Sequence, residues 1–158
     1  MKNKTYYYHT VVIEGIDRTG KDTLARYIDH LCGHWLCLPR RGIVSNLAYA
    51  KLYGRDPSPV YTLDQHDTEV YVYLRCTSKD DWEMRCKLTN EPPIDYEANV
   101  AAFETTWNDF KRRRRAELSL EFDTSKMTVI QIAEAVVAHL EMLNSSAPDQ
   151  TNRLIGVS

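Results

Sequence analysis

Long hydrophobic runs are absent from this sequence, since no apolar stretch reaches the roughly 18 residues that a membrane-spanning helix needs. A surplus of charge is absent as well, because 20 Lys and Arg residues stand against 22 Asp and Glu residues. Binding to the nucleic-acid backbone depends on a basic surface, so a net charge of −2 gives no general case for it. The segment Met1–Thr5 carries no apolar signal region. We therefore expect a cytoplasmic protein with no membrane partner.

Paired cysteine motifs are also missing. The chain contains four cysteines and no CxxC pair, at Cys32, Cys37, Cys76 and Cys86. Without a secretory context, free thiols are the expected state. Histidines and cysteines crowd the stretch from His30 to Cys37, but their spacing fits no standard zinc-ligand pattern. We interpret them as ordinary residues of a helix end and a strand.

The composition that remains is that of a globular protein. Hydrophobic residues make up 43% and charged residues 27% of the 158 positions, and this length favours one domain. We expect a single domain over residues 1–143. The polar segment over residues 144–158 contains Ser and Pro and is predicted to be a flexible tail.

Short apolar runs alternate along the chain with segments of helical period. Strands are predicted at His9–Ile13, Trp35–Leu38, Glu69–Leu74 and Leu118–Phe122. Helices are predicted at Lys21–Cys32, Val44–Tyr53 and Asp80–Leu88, from Asp95 onward, and over Val129–Leu140. This alternation indicates βαβ units, and therefore an α/β fold with a small parallel sheet flanked by helices on both faces. Ligands of such sheets bind at the carboxyl ends of the strands.

A glycine-containing motif follows the first predicted strand. Residues 15–21 match the pattern G-x-x-x-x-G-K and lie between that strand and the first helix. In such a phosphate loop the backbone wraps around phosphates, N–H groups and the helix start attract anions, and the lysine reaches the β- and γ-phosphates. The predicted nucleotide-binding residues are Gly15, Asp17, Thr19, Gly20, Lys21, Asp22 and Thr23.

Asp22 occupies the position where this pattern normally has a metal-contacting hydroxyl. A carboxylate is a hard oxygen ligand, so Asp22 could ligate Mg²⁺ directly, and Thr23 could share that role. Without a metal, the same charge would repel phosphate. Two interpretations stay open: a kinase that uses ATP and Mg²⁺, or a loop that binds nucleotide and has lost turnover.

The segment Ile13–Lys21 resembles the phosphate loop of thymidylate kinases, especially those that carry Asp-Arg inside the loop. The sequence Gly-Lys-Asp-Thr at 20–23 is similar to that of phage deoxynucleoside monophosphate kinases. A second segment, Arg41–Tyr49, resembles the stretch that ends in Ser-x-x-Ala-Tyr in this family. A third, Trp82–Pro92, lies where the family has its arginine-bearing lid. The resemblance implies a P-loop kinase fold with a short lid around residues 80–95.

For the donor side, the resemblance implies that Lys21 and the loop amides hold the triphosphate of ATP. Arg18 would reach the γ-phosphate, and Arg85 would clamp from the lid. Such roles suit phosphoryl transfer, which depends mostly on positioning and on cationic stabilisation of the transferred group. For Arg85, an exposed helix charge is the open alternative.

For the acceptor side, the resemblance implies that Asp17 holds the sugar. Arg41 would bind the acceptor's phosphate or approach the reacting oxygen. Ser45 and Tyr49 would shape the acceptor site, although a helix start and a core aromatic remain alternatives for these two residues.

Two departures from the family concern the acceptor side. Arg40 stands where the family has an Asp that organises metal or acts near the acceptor, so Asp22, Asp17 or Glu14 would have to substitute. Only Gly33–Arg40 separates the first helix from the Arg-Gly segment, where a typical thymidylate kinase has a longer insert. We therefore expect a trimmed, open acceptor site.

An open acceptor site leaves two substrates to consider. One is a mononucleotide, such as dTMP. The other is a hydroxymethylated pyrimidine in phage DNA, with Arg40, Arg41 and the run Arg112–Arg115 following the strand. A solvated helix end that complements the helix dipole is the structural interpretation of the same run. A homodimer also stays open.

Overall fold

Four parallel strands form one sheet in the described part of the chain, in the order β2-β1-β3-β4. The computed structural model describes residues 10–32, 36–38, 42–59, 69–90 and 94–145. The strands are β1 (Thr10–Glu14), β2 (Leu36–Leu38), β3 (Glu69–Arg75) and β4 (Ser119–Asp123). The helices are α1 (Lys21–Cys32), α2 (Ile43–Tyr53), α3 (Lys79–Thr89), α4 (Tyr96–Arg112) and α5 (Val129–Ser145).

Strands β1 and β3 are buried on both faces, because helices cover both sides of the sheet and successive side chains of a strand point to opposite sides. Val11 and Ile13 of β1 face a core built with α1 and α5, whereas Val12 faces a core built with α2 and α4. The first core holds Leu24, Ile28, Val72, Leu74, Ile132, Val136 and Leu140; the second holds Val44, Tyr71, Tyr73, Phe103 and Trp107. The predicted parallel sheet with helices on both faces is confirmed.

Element boundaries differ from the predicted ones where local capping decides them. Asp95 is the N-cap of α4 rather than its first residue, since its carboxylate accepts from the N–H of Ala98. Residues Ala116–Leu118 form a 3₁₀ turn, so β4 begins at Ser119. Helix α5 continues through Ser145, past the predicted start of the tail, because Leu143 is buried in the first core. Residues 146–158 lie outside the described residues, as do His9 and Trp35.

The run Arg112–Arg115 lies at the end of α4, as the structural interpretation predicts. Its first two members contact Asp109 at 2.8 and 3.3 Å, and its last contacts Glu117 at 2.5 Å. Arg114 donates to the backbone oxygen of Glu69 at 2.5 Å. Glu69 is the first residue of β3. The arginine run is therefore at the amino end of the strands, away from the edge where the phosphate loop begins.

Two further predictions concern membrane-spanning helices and the state of the cysteines. Among the described helices, none is both long enough and apolar enough to cross a membrane. Cys76 and Cys86 are free thiols, as predicted. The side chain of Cys37 lies outside the description.

Candidate nucleotide site

The phosphate loop turns tightly against the end of β3. Gly15 has a φ of +149°, and a Cβ built on it would lie 2.3 Å from the carbonyl oxygen of Leu74. That Cβ would also lie 3.0 Å from Oγ1 of Thr19, a buried hydroxyl that donates to the carbonyl of Ile16 at 2.9 Å. Only glycine allows this approach of two backbones. The fold thus fixes where the loop begins.

Lys21 lies at the start of α1 and bends back over the loop. Its Nζ donates to the carbonyl oxygens of Gly15 at 2.7 Å and Ile16 at 3.1 Å. Burial lowers the pKa of Lys21, and the nearby carboxylates of Asp17 and Glu14 oppose that shift. A partly desolvated ammonium beside a helix N-terminus is a strong attractor for phosphate oxygens.

Helix α3 packs over the outer side of the loop. Trp82 Nε1 donates to the carbonyl oxygen of Asp17 at 2.9 Å. The guanidinium of Arg85 donates to the carbonyl oxygens of Arg18 at 3.4 Å and of Thr124 at 3.3 Å. Arg85 is half-buried, so it is not the exposed helix charge of the alternative interpretation. It joins the loop to the turn that follows β4.

Glu14, the last residue of β1, is fully buried. Its Oε2 accepts from Ser45 twice, from the backbone N–H at 2.8 Å and from the hydroxyl at 2.5 Å. Its Oε1 lies against Gly42 and has no hydrogen-bond partner among the described residues. Burial raises the pKa of Glu14 to about 7, although the Ser45 hydrogen bonds lower it. The contact ties α2 to β1.

Of the residues predicted to bind the acceptor, Ser45 and Tyr49 are among the described residues. Ser45 is not the start of α2, since Gly42 is the N-cap of this helix. The hydroxyl of Ser45 donates to the carboxylate of Glu14. Tyr49 is a buried aromatic residue of the second core. Its hydroxyl lies 3.4 Å from Oδ1 of the exposed Asp17, so Tyr49 also contacts the loop. Arg41 and Arg40 lie outside the described residues.

The oxygen ligands that the sequence predicts for a metal lie on the first turn of α1. Asp22 and Thr23 are both exposed there. Among the described residues, no group of three or more His, Cys, Asp or Glu side chains could hold a metal ion. Mg²⁺ in phosphate sites usually takes one or two protein oxygens together with phosphate and water oxygens. The donor set therefore fits a magnesium ion that is held jointly with a nucleotide.

Sequence reasoning missed a polar cluster where β3 and β4 end. Oδ1 of Asp123 accepts from the N–H of Ser125 at 2.9 Å and of Thr77 at 3.2 Å, and Oδ2 accepts from the Thr77 hydroxyl. The sequence did contain a signal for this cluster. Thr77 follows the strand predicted at Glu69–Leu74 and Asp123 follows the strand predicted at Leu118–Phe122, and the carboxyl ends of parallel strands meet at one edge of the sheet. The hydrogen bond from Trp82 to the carbonyl of Asp17 had no such signal in the sequence. A tryptophan in a predicted helix indicates a buried side chain but does not identify the partner of its indole N–H.

A cleft with a volume of about 560 Å³ opens between α3 and the start of α4. Its apolar lining consists of Trp82, Cys86, Ile94 and Tyr96. Charged side chains surround these: Lys79, Glu83, Lys87, Asp95 and Glu97. None of the predicted site residues lines the cleft. Trp82 belongs both to its wall and to the contact with the phosphate loop.

No protein-family model matches the chain, and no curated protein matches it. Among solved structures, it is similar to the YorR protein of Bacillus subtilis, which was crystallised in complex with phosphorylated GDP. The two share 15% sequence identity with a TM-score of 0.63, over 84% of this chain and 96% of that one. At this identity the likeness concerns the fold, and it agrees with the α/β architecture described above.

Replacing Gly15 with alanine should damage the loop more than the same change at Gly54. At Gly15 the new methyl meets the Leu74 carbonyl at 2.3 Å, whereas at Gly54, with a φ of +61°, nothing lies within 4 Å. Gly54→Ala should therefore cost about 1 kcal/mol from backbone strain alone. Gly15→Ala should cost a further 1–3 kcal/mol or so from the clash. Urea denaturation checks both values, and an equal cost for the two variants would contradict the close approach.

Replacing Glu14 with glutamine should change how stability depends on pH. Because the pKa of Glu14 rises from 4.5 to about 7 in the folded protein, the unfolded chain gives up this proton first as pH rises. The contribution of Glu14 to stability is thus complete below pH 4.5 and is lost by pH 7, a change on the order of 3 kcal/mol. Glutamine lacks this loss, so the Tm of Glu14→Gln relative to wild type should rise across that range.

The measurement is thermal unfolding over a series of pH values on both sides of that range. Glu134→Gln, at an exposed position on α5, is the matched control. The assignment to Glu14 would be wrong if the Tm difference between Glu14→Gln and wild type were the same at every pH.

Proposed function

We propose that this protein transfers the γ-phosphoryl group of ATP, with Mg²⁺, to a nucleotide-type acceptor, a deoxynucleoside monophosphate such as dTMP. The observation that carries the proposal is the phosphate loop, whose two positive-φ glycines, at +149° and +91°, begin and end a turn around the ammonium of Lys21. The fold likeness to YorR, a protein crystallised with phosphorylated GDP, supports nucleotide binding here.

On the donor side, Lys21 leaves the carbonyls of Gly15 and Ile16 and binds the β- and γ-phosphates. The ammonium is already partly desolvated, so it gains an anionic partner without giving up a full hydration shell. Asp22 and Thr23 would hold Mg²⁺. When bound, the ion neutralises charge on the phosphates.

On the acceptor side, an oxygen of the acceptor phosphate attacks the γ-phosphorus, and the bond from phosphorus to ADP breaks. The products are ADP and a nucleoside diphosphate. Arg18 lies in the loop, and Arg85 donates to its backbone oxygen at 3.4 Å. Both residues are therefore close enough to the loop for us to assign them the stabilisation of the charge that develops in the transition state. The exposed carboxylate of Asp17 binds the acceptor sugar, next to the Tyr49 hydroxyl at 3.4 Å.

The placement of Arg112–Arg115 weighs against the alternative substrate, a modified base in DNA. Members of this run contact the carboxylates of Asp109 and Glu117 and lie at the amino end of the strands. A DNA strand that followed them would not lead to the phosphate loop. The mononucleotide therefore remains the substrate that we propose.

The test supplies γ-labelled ATP and Mg²⁺ with a set of acceptors. These are each deoxynucleoside monophosphate, the free deoxynucleosides, and DNA with and without hydroxymethyluracil. We expect label in a nucleoside diphosphate, with dTDP as the main product. Label in DNA would make the protein a nucleic-acid-modifying kinase. ATP binding with no labelled product would leave a nucleotide-binding protein without turnover.

Replacing Lys21 with alanine should lower the transfer rate by about 10²–10³-fold, the usual loss when a charge-stabilising group is removed. Lys51→Ala, an exposed lysine at the end of α2, is the matched control and should keep wild-type turnover. Circular dichroism verifies that both variants fold. A loss of under about tenfold for Lys21→Ala would contradict the role of this lysine.

A further inference from the structure

Two side chains of α3 hold two consecutive carbonyl oxygens of the phosphate loop. Trp82 Nε1 donates to the carbonyl of Asp17 at 2.9 Å, and Arg85 donates to the carbonyl of Arg18 at 3.4 Å. The first distance is that of a well-formed hydrogen bond, whereas the second is near the long limit. Trp82 therefore provides the stronger of the two contacts.

Arg18, which lies between these two carbonyls, has a left-handed backbone with a φ of 69°. This region favours glycine and costs another residue about 1–2 kcal/mol. Such a conformation persists only where the surroundings fix it. The peptide group before Arg18 is fixed through the Asp17 carbonyl, so the indole of Trp82 opposes relaxation of this strained residue.

The orientation of that peptide group bears on phosphate binding. In a planar trans peptide, the N–H of Arg18 points opposite to the carbonyl of Asp17. Because this carbonyl faces α3, the N–H is turned away from α3. Phosphate loops bind anions through such backbone N–H groups. A loop free to rotate this peptide would lose one of its donors.

Trp82 itself is held firmly. Its side chain is 2% exposed, and its ring lies 5.1 Å from the ring of Tyr96, centroid to centroid. The hydroxyl of Tyr96 donates, at 2.5 Å, to the carbonyl of Cys76, the residue that follows β3. The indole is thus anchored to the sheet through α4, and moving with the loop would cost it this ring contact.

We propose that Trp82 is a positioning residue that holds the phosphate loop in its binding conformation before any nucleotide arrives. This inference rests on the proposed function, since it assumes that the loop receives phosphate. A preorganised loop avoids an ordering cost when the ligand binds. Once the nucleotide is bound, its phosphates hold the loop themselves, so the advantage belongs to binding and not to the chemical step.

Trp82→Phe tests this inference because it removes the N–H donor and keeps an aromatic ring. The matched control is Trp107→Phe, since Trp107 is also buried and donates its indole N–H, at 2.7 Å, to Glu121 on β4. For Trp82→Phe we expect the Kd and KM for ATP to rise about fivefold, with kcat within about twofold of wild type. For Trp107→Phe the Kd for ATP, the KM for ATP and kcat should all stay at their wild-type values. Equal effects of the two variants on ATP binding would overturn the inference.

Nuclear magnetic resonance of the wild-type protein provides a test that needs no variant to fold. The indole proton of Trp82 should exchange slowly with solvent in the nucleotide-free protein and change little when ATP is added. An indole proton that exchanges fast without ATP and slowly with it would overturn the inference. If wild type binds ATP but forms no product, the proposed function fails. The binding comparison and the indole proton then still decide the role of Trp82.

Discussion

The contact between the first turn of the phosphate loop and the carbonyl of Leu74 is the constraint on which the rest of the site depends. Gly15 can approach β3 this closely only without a side chain. This contact brings the loop over the carboxyl edge of the sheet, where α3 begins a few residues after β3. The loop therefore meets α3 at once, and the contacts of Trp82 and Arg85 follow from that proximity.

Burial of β1 on both faces fixes the position of the residues at its carboxyl end, where the site begins. Strand β1 pairs with β2 on one side and β3 on the other, and cores cover both of its faces. Because these contacts hold the strand in place, Glu14 at its end enters the interior with its carboxyl group, and burial raises the pKa of that group to about 7. The partner that compensates for part of that burial is Ser45 in the first turn of α2. One buried carboxyl group thus helps to hold α2 beside the loop, together with the packing of Val44 and Ala48 in the second core.

Much of the fold could be predicted from the sequence because its signals are local. The alternation of apolar runs and helical periods located the four strands and five helices of the described residues, and the motif at residues 15–21 located the loop. The contacts that shape the site were not predictable in this way. Glu14 and Ser45 are 31 positions apart, and Asp17 and Trp82 are 65 apart. No periodicity links such residues, so only the packed structure identifies them as partners.

Three locally unfavourable features surround one loop. Arg18 has a left-handed backbone, Lys21 carries a partly desolvated ammonium, and Glu14 carries a buried carboxyl group. Each opposes folding, and each is offset by the two cores that pack against the sheet. Sequences tend to break local rules of stability where function requires it. All three features lie next to the turn at residues 15–21, which is the physical reason why we propose phosphate binding at this edge of the sheet.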